Sequence, residues 1–473
     1  MACDRAKLRI GYAGLYFPVM GARELGVFES GQAVLERLAK EKGFELLMWP
    51  RMISEVEESR KAARFFAEQG ADFLLVQASS LAMGDTILPL VEPMDRLGLW
   101  VLDEPTFEGE LQLNSLTGFN LCVSLIRGTW GDKKKLKWFW GVGPEFEKRF
   151  VQTVDALAGL KAFRGSRIAA IGESVPTFDN LRYDEAKFEK SLGIEVLPFD
   201  LDDLFRRSDE APAEGIEAIR ASIVAASTCV HVDEAQLLTT ARICHALRTV
   251  KEREKVDAVA LRCWPEFQTW KGIAPCAAVA WSNDSCMPAA CEGDLPGAAA
   301  MLLGRILSGK ASTMNDPVAL DRRSECVQMW HCGPGPASWA DSSGRCLDYH
   351  HTLNRRLTPG TARAGVSSDI RFARGPVTIL RIRGDGKSLF ALEGEVVDGP
   401  SAPYPGSGGW VGKLKMDGSS VSLEDLLQMI SQYGLEHHYP IMRGRHFSVL
   451  GEMAGWAGWT ILPFVSAHSK SVI

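Results

Sequence analysis

The first hundred residues alternate short, wholly apolar runs with amphipathic stretches of helical length, and that alternation leaves few folds open. The runs are LRIGYAGLY (8–16), FELLMW (44–49), ADFLLVQAS (71–79) and LGLWVLDEP (97–105), with helix-like stretches at 24–41 and 54–69 between them. Runs rich in Val, Leu, Ile and aromatics, with no polar alternation, suit strands buried on both faces of a parallel sheet. Strand, helix, strand in this order predicts a doubly wound α/β domain.

The pattern then repeats without repeating the sequence. After KLKWFWGVG (135–143) and a helix over 145–163, a second series runs through SRIAAIGES, GIEVLPFD, helices at 213–226 and 233–252, VDAVALRCW, the short MPAAC and the helix LPGAAAMLLGRILSG. Beyond it, VQMWHCG, GPVTILRIRG, SLFALEGEVV and GWVGKLKM are strand-like segments separated by Gly, Ser, Pro and Asp turns. The reading is two successive Rossmann-like domains, 1–164 and 165–322, followed by a β domain, 323–473. A chain of 473 residues has room for several such cores.

Charge and composition exclude some partners. The formal charge is −6, and the only sharp basic run is Lys133–Lys135, so no basic field points to nucleic acid. No apolar stretch reaches the roughly 18 residues that a membrane span needs, and the N-terminus has no secretory h-region. A cytoplasmic protein is expected, with no membrane partner. Eleven cysteines include no C-x-x-C and sit mostly in apolar runs, as reduced packing residues do. The spacings of Cys263, Cys276, Cys286 and Cys291 match no structural zinc pattern. Neither a dinucleotide glycine fingerprint nor a P-loop opens a helix after an early strand, and G-x-S-x-G is absent.

In an open parallel sheet, ligands gather beyond the carboxyl ends of the strands. Glu266 follows VDAVALRCWP, while Glu292 and Asp294 follow PAAC and precede a helix. Neighbouring strands would bring these carboxylates to one crevice. The bland alternative for Glu292 or Asp294 is capping of that helix. Of nine histidines, His331, His446 and the pair His350–His351 stand where a ligand could be offered. Carboxylates with one or two imidazoles suit a divalent cation of intermediate hardness, Mn²⁺ first among them.

The segments ALRCWPEF (260–267), AACEGDLPGAAAMLL (289–303), MWHCGPGPAS (329–338) and GRHFSVLGEMAGWAGWTIL (444–462), with the weaker LNSLTGFNLCVSLI (113–126), carry a family likeness. On them the chain resembles the L-fucose/L-arabinose isomerase superfamily, especially its fucose isomerase-like members, over nearly its whole length. The resemblance implies that the third domain is a β-barrel. It also implies a homotrimer or homohexamer with an active site shared between subunits. By motif, Glu266 and Asp294 match two acidic metal ligands that double as acid and base, His446 matches a histidine ligand, and His331 a further one. Glu292 is then a residue beside the ligands, and Trp264, Phe267 and Trp330 are aromatics for a sugar's C–H faces, or else core packing. The implied reaction is metal-dependent aldose–ketose isomerisation of an open-chain sugar through an enediol, with Glu266 and Asp294 sharing the proton work. A non-catalytic, two-lobed sugar-binding protein is the rival reading.

Overall fold

A computed structural model describes residues 7–354 and 363–468, and the chain divides into two compact units after Lys161. In the first unit, strands β1 (Arg9–Leu15), β2 (Glu45–Met48), β3 (Phe73–Ala78), β4 (Arg96–Val101) and β5 (Lys135–Trp140) form one sheet in the order β2-β1-β3-β4-β5. Every pair is parallel. Between them run α1 (Val27–Lys42), α2 (Val56–Glu68), α3 (Gly84–Val91) and α4 (Ser115–Trp130), and α5 (Pro144–Phe163) leaves the unit. All six residues of β3 are buried, as its unbroken apolar run requires of a central parallel strand. Gly118 in α4 is there for close approach, since a Cβ would lie 2.6 Å from the Ser80 carbonyl oxygen.

The second unit holds two sheets. Strands β6 (Arg167–Ile171) and β7 (Glu195–Phe199), then β9 (Ala258–Leu261) and β10 (Ala289–Ala290), form a parallel sheet in the order β10-β9-β6-β7; β8 (Cys229–Val230) intervenes in sequence but belongs elsewhere. The helices here are α6 (Glu185–Leu192), α7 (Leu201–Asp209), α8 (Ala213–Ala225), α9 (Glu234–Glu254), α10 (Glu266–Lys271), α11 (Cys276–Asp284) and α12 (Leu295–Ser308).

The remaining strands are β11 (Asp316–Asp321), β12 (Cys326–His331), β13 (Ala340–Tyr349), β14 (Val366–Phe372), β15 (Gly375–Ile382), β16 (Ser388–Val397), β17 (Ser407–Met416), β18 (Ser419–Ser420), β19 (Ile441–Arg443) and β20 (Thr460–Ile461). With β8 they make an eleven-stranded mixed sheet whose main path is β19-β15-β16-β17-β14-β13-β8, with β12 branching from β17. Short helices α13 (His351–Asn354), α14 (Leu423–Tyr433) and α15 (Phe447–Ala457) complete it. The fold is thus the expected α/β arrangement of Rossmann-like sheets followed by a C-terminal sheet region.

Helix α12 is the element that matters most for the site. Its first ten residues, Leu295–Gly304, are all buried. A helix apolar on every side must be covered on every side, and α12 packs on β9 of the parallel sheet and on β15 and β19 of the mixed sheet.

One expectation about cysteine is corrected. Cys229 of β8 and Cys346 of β13 lie opposite each other in register and are joined as a disulfide, not held as reduced packing thiols. Of the other cysteines, Cys276 and Cys332 have their sulfurs 3.8 Å apart, Cys263 and Cys291 hydrogen-bond each other, and Cys286 is exposed. No helix among the described residues is long and apolar enough to cross a membrane.

Candidate active site

The segment Glu292–Gly293–Asp294 turns sharply out of β10 into α12. Glu292 and Gly293 both take left-handed backbone, with φ of 62° and 68°. Gly293 is needed twice over, because a Cβ there would also lie 2.7 Å from the Glu173 carbonyl oxygen. Asp294 then caps α12, its Oδ1 accepting from the Gly297 N–H at 2.9 Å. Capping is only half of its task, since its Oδ2 accepts from His438 Nδ1–H at 2.9 Å and from the Arg381 guanidinium.

His438 is wholly buried, and with Nδ1 given to Asp294 its Nε2 faces 3.2 Å from Glu292 Oε2 and 3.9 Å from Asp316 Oδ1. The His331 ring, at the end of β12, lies 5.5 Å away. Glu292, His331 and His438 can each offer a ligand atom within 4.8 Å of the others, and so can Asp316, His437 and His438. Glu292 Oε2, Asp316 Oδ1, His331 Nε2 and His438 Nε2 are buried atoms without a hydrogen-bond partner. Buried polar atoms are rarely left so. The two groups share His438, and carboxylate oxygens with imidazole nitrogens are a donor set that fits a divalent cation of Mn²⁺ type.

The electrostatics agree. Burial raises the Glu292 carboxyl, but the imidazoles of His437, His438 and His331 outweigh it and hold the group well below the usual carboxylate range. Asp294 is likewise raised by burial and lowered further by Arg381 and His438, so it stays ionised. Burial lowers His438, yet Asp294, Glu292 and Asp316 push it up to about 10. His331 rises to about 9, burial being outweighed by Cys332, Asp316 and Glu292. Behind the site, Arg381 is 1% exposed and spans Asp294 and Glu436, the latter at 3.5 Å.

Of the residues singled out in sequence, the structure brings together Glu292, Asp294 and His331. Glu266 lies apart at the start of α10, its carboxylate taken by Arg262 at 2.6 and 3.0 Å. Arg262 lines a cavity of about 1080 Å³ beyond the ends of β6, β7 and β9, together with Glu173, Ser174, Phe178 and Tyr183. Phe178 joins this cavity to the histidines, with its ring 4.9 Å from that of His437 and 6.0 Å from that of Trp264. His446 sits at the start of α15 with Nε2 2.9 Å from the Arg443 carbonyl oxygen, so that nitrogen is committed as a donor. Phe267 is wholly buried against Phe205, and Trp330 donates its indole N–H to the Pro405 carbonyl. His350 is buried, and His351 pairs with Asp369 at 2.6 Å. The residues missed in sequence are His437, His438, Asp316 and Arg381. An adjacent histidine pair in a chain with only nine was a usable signal; Arg381, alternating within an apolar strand, was not.

No protein-family model matches the chain. It is similar to proteins named sulfoquinovose isomerase. The relative from Priestia aryabhattai is 26% identical over 417 residues, covering 85% of this chain and 88% of the relative. The one from Alkalicoccus urumqiensis is 28% identical over 385 residues, covering 78% and 81%. A solved periplasmic solute-binding protein from Actinobacillus succinogenes with bound D-allose aligns with 59% of this chain and 84% of its own, at 13% identity and a TM-score of 0.17, which carries no argument. The relatives make the chain an enzyme of the isomerase class.

Proposed function

We propose that the protein is a metal-dependent aldose–ketose isomerase acting on an open-chain six-carbon sugar of the sulfoquinovose kind. The observation that carries this is the convergence of Glu292, His331 and His438, each with an unpartnered buried ligand atom, beside a second group of Asp316, His437 and His438. Similarity to sulfoquinovose isomerases over most of both chains supports the substrate class. Glu292, His331 and His438 would hold the cation, Mn²⁺ by the hardness of the set. When bound, it polarises the sugar carbonyl and stabilises the developing enediol charge.

The remaining work falls to the chain. Glu292, ionised, would give one oxygen to the cation and with the other accept the proton from the carbon beside the carbonyl and return it to the neighbouring carbon. Asp316, whose Oδ1 has no hydrogen-bond partner, is the second carboxylate: it takes the proton of the hydroxyl beside the carbonyl and delivers it to the carbonyl oxygen. Asp294 does not move protons in this reading, because both its oxygens are engaged; it fixes the tautomer and aim of His438. Glu266 holds Arg262 on the wall of the cavity that would take the sugar chain. The protein works as a homotrimer or homohexamer, which light scattering of the purified chain would test.

The deciding experiment measures ketose formation from sulfoquinovose and from uncharged aldoses, with and without Mn²⁺, for the wild type and Glu292→Gln. Activity lost on chelation and in the variant, together with its bound metal, is expected. A Glu292→Gln protein that binds Mn²⁺ normally and stays active would overturn the site.

A further inference from the structure

We propose that Cys229, His231, Cys346 and Asp348 form a second metal site, selective for zinc, when the Cys229–Cys346 pair is reduced. The argument begins with the ladder. Strands β8 and β13 run parallel, with Cys229 opposite Cys346 and Val230 opposite Leu347. His231 continues it, its N–H donating to the Leu347 carbonyl at 2.8 Å. Side chains two residues apart on a strand share a face. Cys-x-His on one strand and Cys-x-Asp on its neighbour therefore put four ligands on the same side of one ladder.

The distances to His231 fit a tetrahedral ion, and reduction lets the two sulfurs, bonded to each other here, part to the spacing it needs. Zinc bonds of about 2.3 Å to sulfur and about 2.0–2.2 Å to nitrogen and oxygen place neighbouring ligands roughly 3.6 Å (S to N) and 3.4 Å (N to O) apart. Here Cys346 Sγ is 3.6 Å from His231 Nδ1, and His231 Nδ1 is 3.3 Å from Asp348 Oδ2. Cys229, His231 and Cys346 offer ligand atoms all within 4.8 Å. Asp348 Oδ1 is occupied by the Tyr349 N–H at 2.6 Å and faces Arg363 at 3.9 Å, while Oδ2 faces His231; Asp348 also lies within ligand reach of His351 and Asp369, which pair with each other at 2.6 Å.

Two thiolates, an imidazole and a carboxylate suit borderline-soft zinc, whereas the Glu292 group, with no sulfur, suits a harder ion. The balance is simple. A dithiol reductant gives two electrons and two protons to the disulfide and becomes a disulfide itself. Zinc then replaces the two thiol protons, which go to solvent. Because β8 is two residues long and pairs only with β13, either linkage ties it to the mixed sheet. The other thiol group, Cys276, Cys332 and His350, is a poorer candidate. There His350 Nδ1 accepts from the Leu353 N–H at 3.2 Å, so the proton sits on Nε2.

The test uses the full chain, reduced with a dithiol, desalted anaerobically, stripped of metal and titrated with Co²⁺. One equivalent of thiolate-to-cobalt absorption is expected, displaced by Zn²⁺ and absent from oxidised protein and from Cys229→Ser. His231→Asn, which keeps both cysteines, is expected to weaken cobalt binding about tenfold or more. Glu292→Gln is expected to leave the band unchanged. No band in reduced wild type overturns the proposal. So does a band that survives Cys229→Ser, which would place the thiolates elsewhere, or an unaltered affinity in His231→Asn.

Discussion

Replacing Asp294 with asparagine keeps the side chain's shape but removes one charge and turns the acceptor facing His438 and Arg381 into a donor. The amide oxygen can still accept from the Gly297 N–H, so the cap of α12, worth about 1 kcal/mol, is kept. What is lost is the counter-charge of Arg381, which is 1% exposed and left with Glu436 at 3.5 Å. Removing one partner of a buried ion pair costs about 3–5 kcal/mol, and the remaining Glu436 places the expectation near 3 kcal/mol. In a unit as large as Ala162–Ile473 that lowers Tm by roughly 4–5 °C, read by calorimetry of the metal-free protein. His438 also loses the acceptor that fixes its tautomer, so Mn²⁺ affinity by titration calorimetry is expected to fall about 10–100-fold. Adding Arg381→Met to Asp294→Asn deletes the stranded charge and should return much of the stability but none of the metal affinity. A single variant that melts within about 1 °C of wild type and binds Mn²⁺ equally well would refute both halves of the reasoning.

Gly293→Ala meets the Glu173 carbonyl oxygen at 2.7 Å in left-handed backbone; it should destabilise by about 1–3 kcal/mol and weaken Mn²⁺ binding by displacing Glu292, and normal binding would count against the turn's role. Gly118→Ala, 2.6 Å from the Ser80 carbonyl oxygen, should cost a similar amount, about 1–3 kcal/mol, without touching metal affinity, as denaturation and titration would show. Ser422→Ala breaks the capping box of α14 and should cost about 1 kcal/mol in urea denaturation. His438 rises from 6.5 to about 10 on folding, so its contribution is fully present below pH 6.5 and is lost as pH climbs toward 10. Urea midpoints of the metal-free protein should fall across that window, and a flat profile would show that the site holds no such proton.

Much of the fold was legible because it is written in local periodicity. The apolar runs at β1, β3, β4, β6 and β9, and the helices α8, α9 and α12, fall where the pattern puts them. Strand β8 was not legible: two residues long and partly buried, it owes its place to pairing with β13, more than a hundred residues on. The site divides in the same way. Glu292 and Asp294 were visible because a carboxylate between a short strand and an apolar helix has few duties. The pair in EHHYP was a signal for His438, but its partners were not legible, because Asp294 and Glu292 are distant in sequence and its place depends on β19 following it into the sheet. His446 sits in a motif-like run, but its ring serves the turn at Arg443.

Helix α12 is shared by two sheets, and the residue that starts it also aims a histidine, so drift in this region is severely limited. A substitution that reshaped the Glu292–Asp294 turn would have to be accepted at once by β9, β15 and β19. The loop from Glu173 to Phe178 shares the obligation, since the Val175 N–H donates to the Glu292 carbonyl at 3.2 Å and the Ser174 hydroxyl to the Gly293 carbonyl at 3.4 Å. Homologues that come to accept a different sugar should therefore differ first at the cavity wall away from this loop, at Tyr183, Val196 and Pro198, while α12 and the loop it holds stay almost unchanged between them.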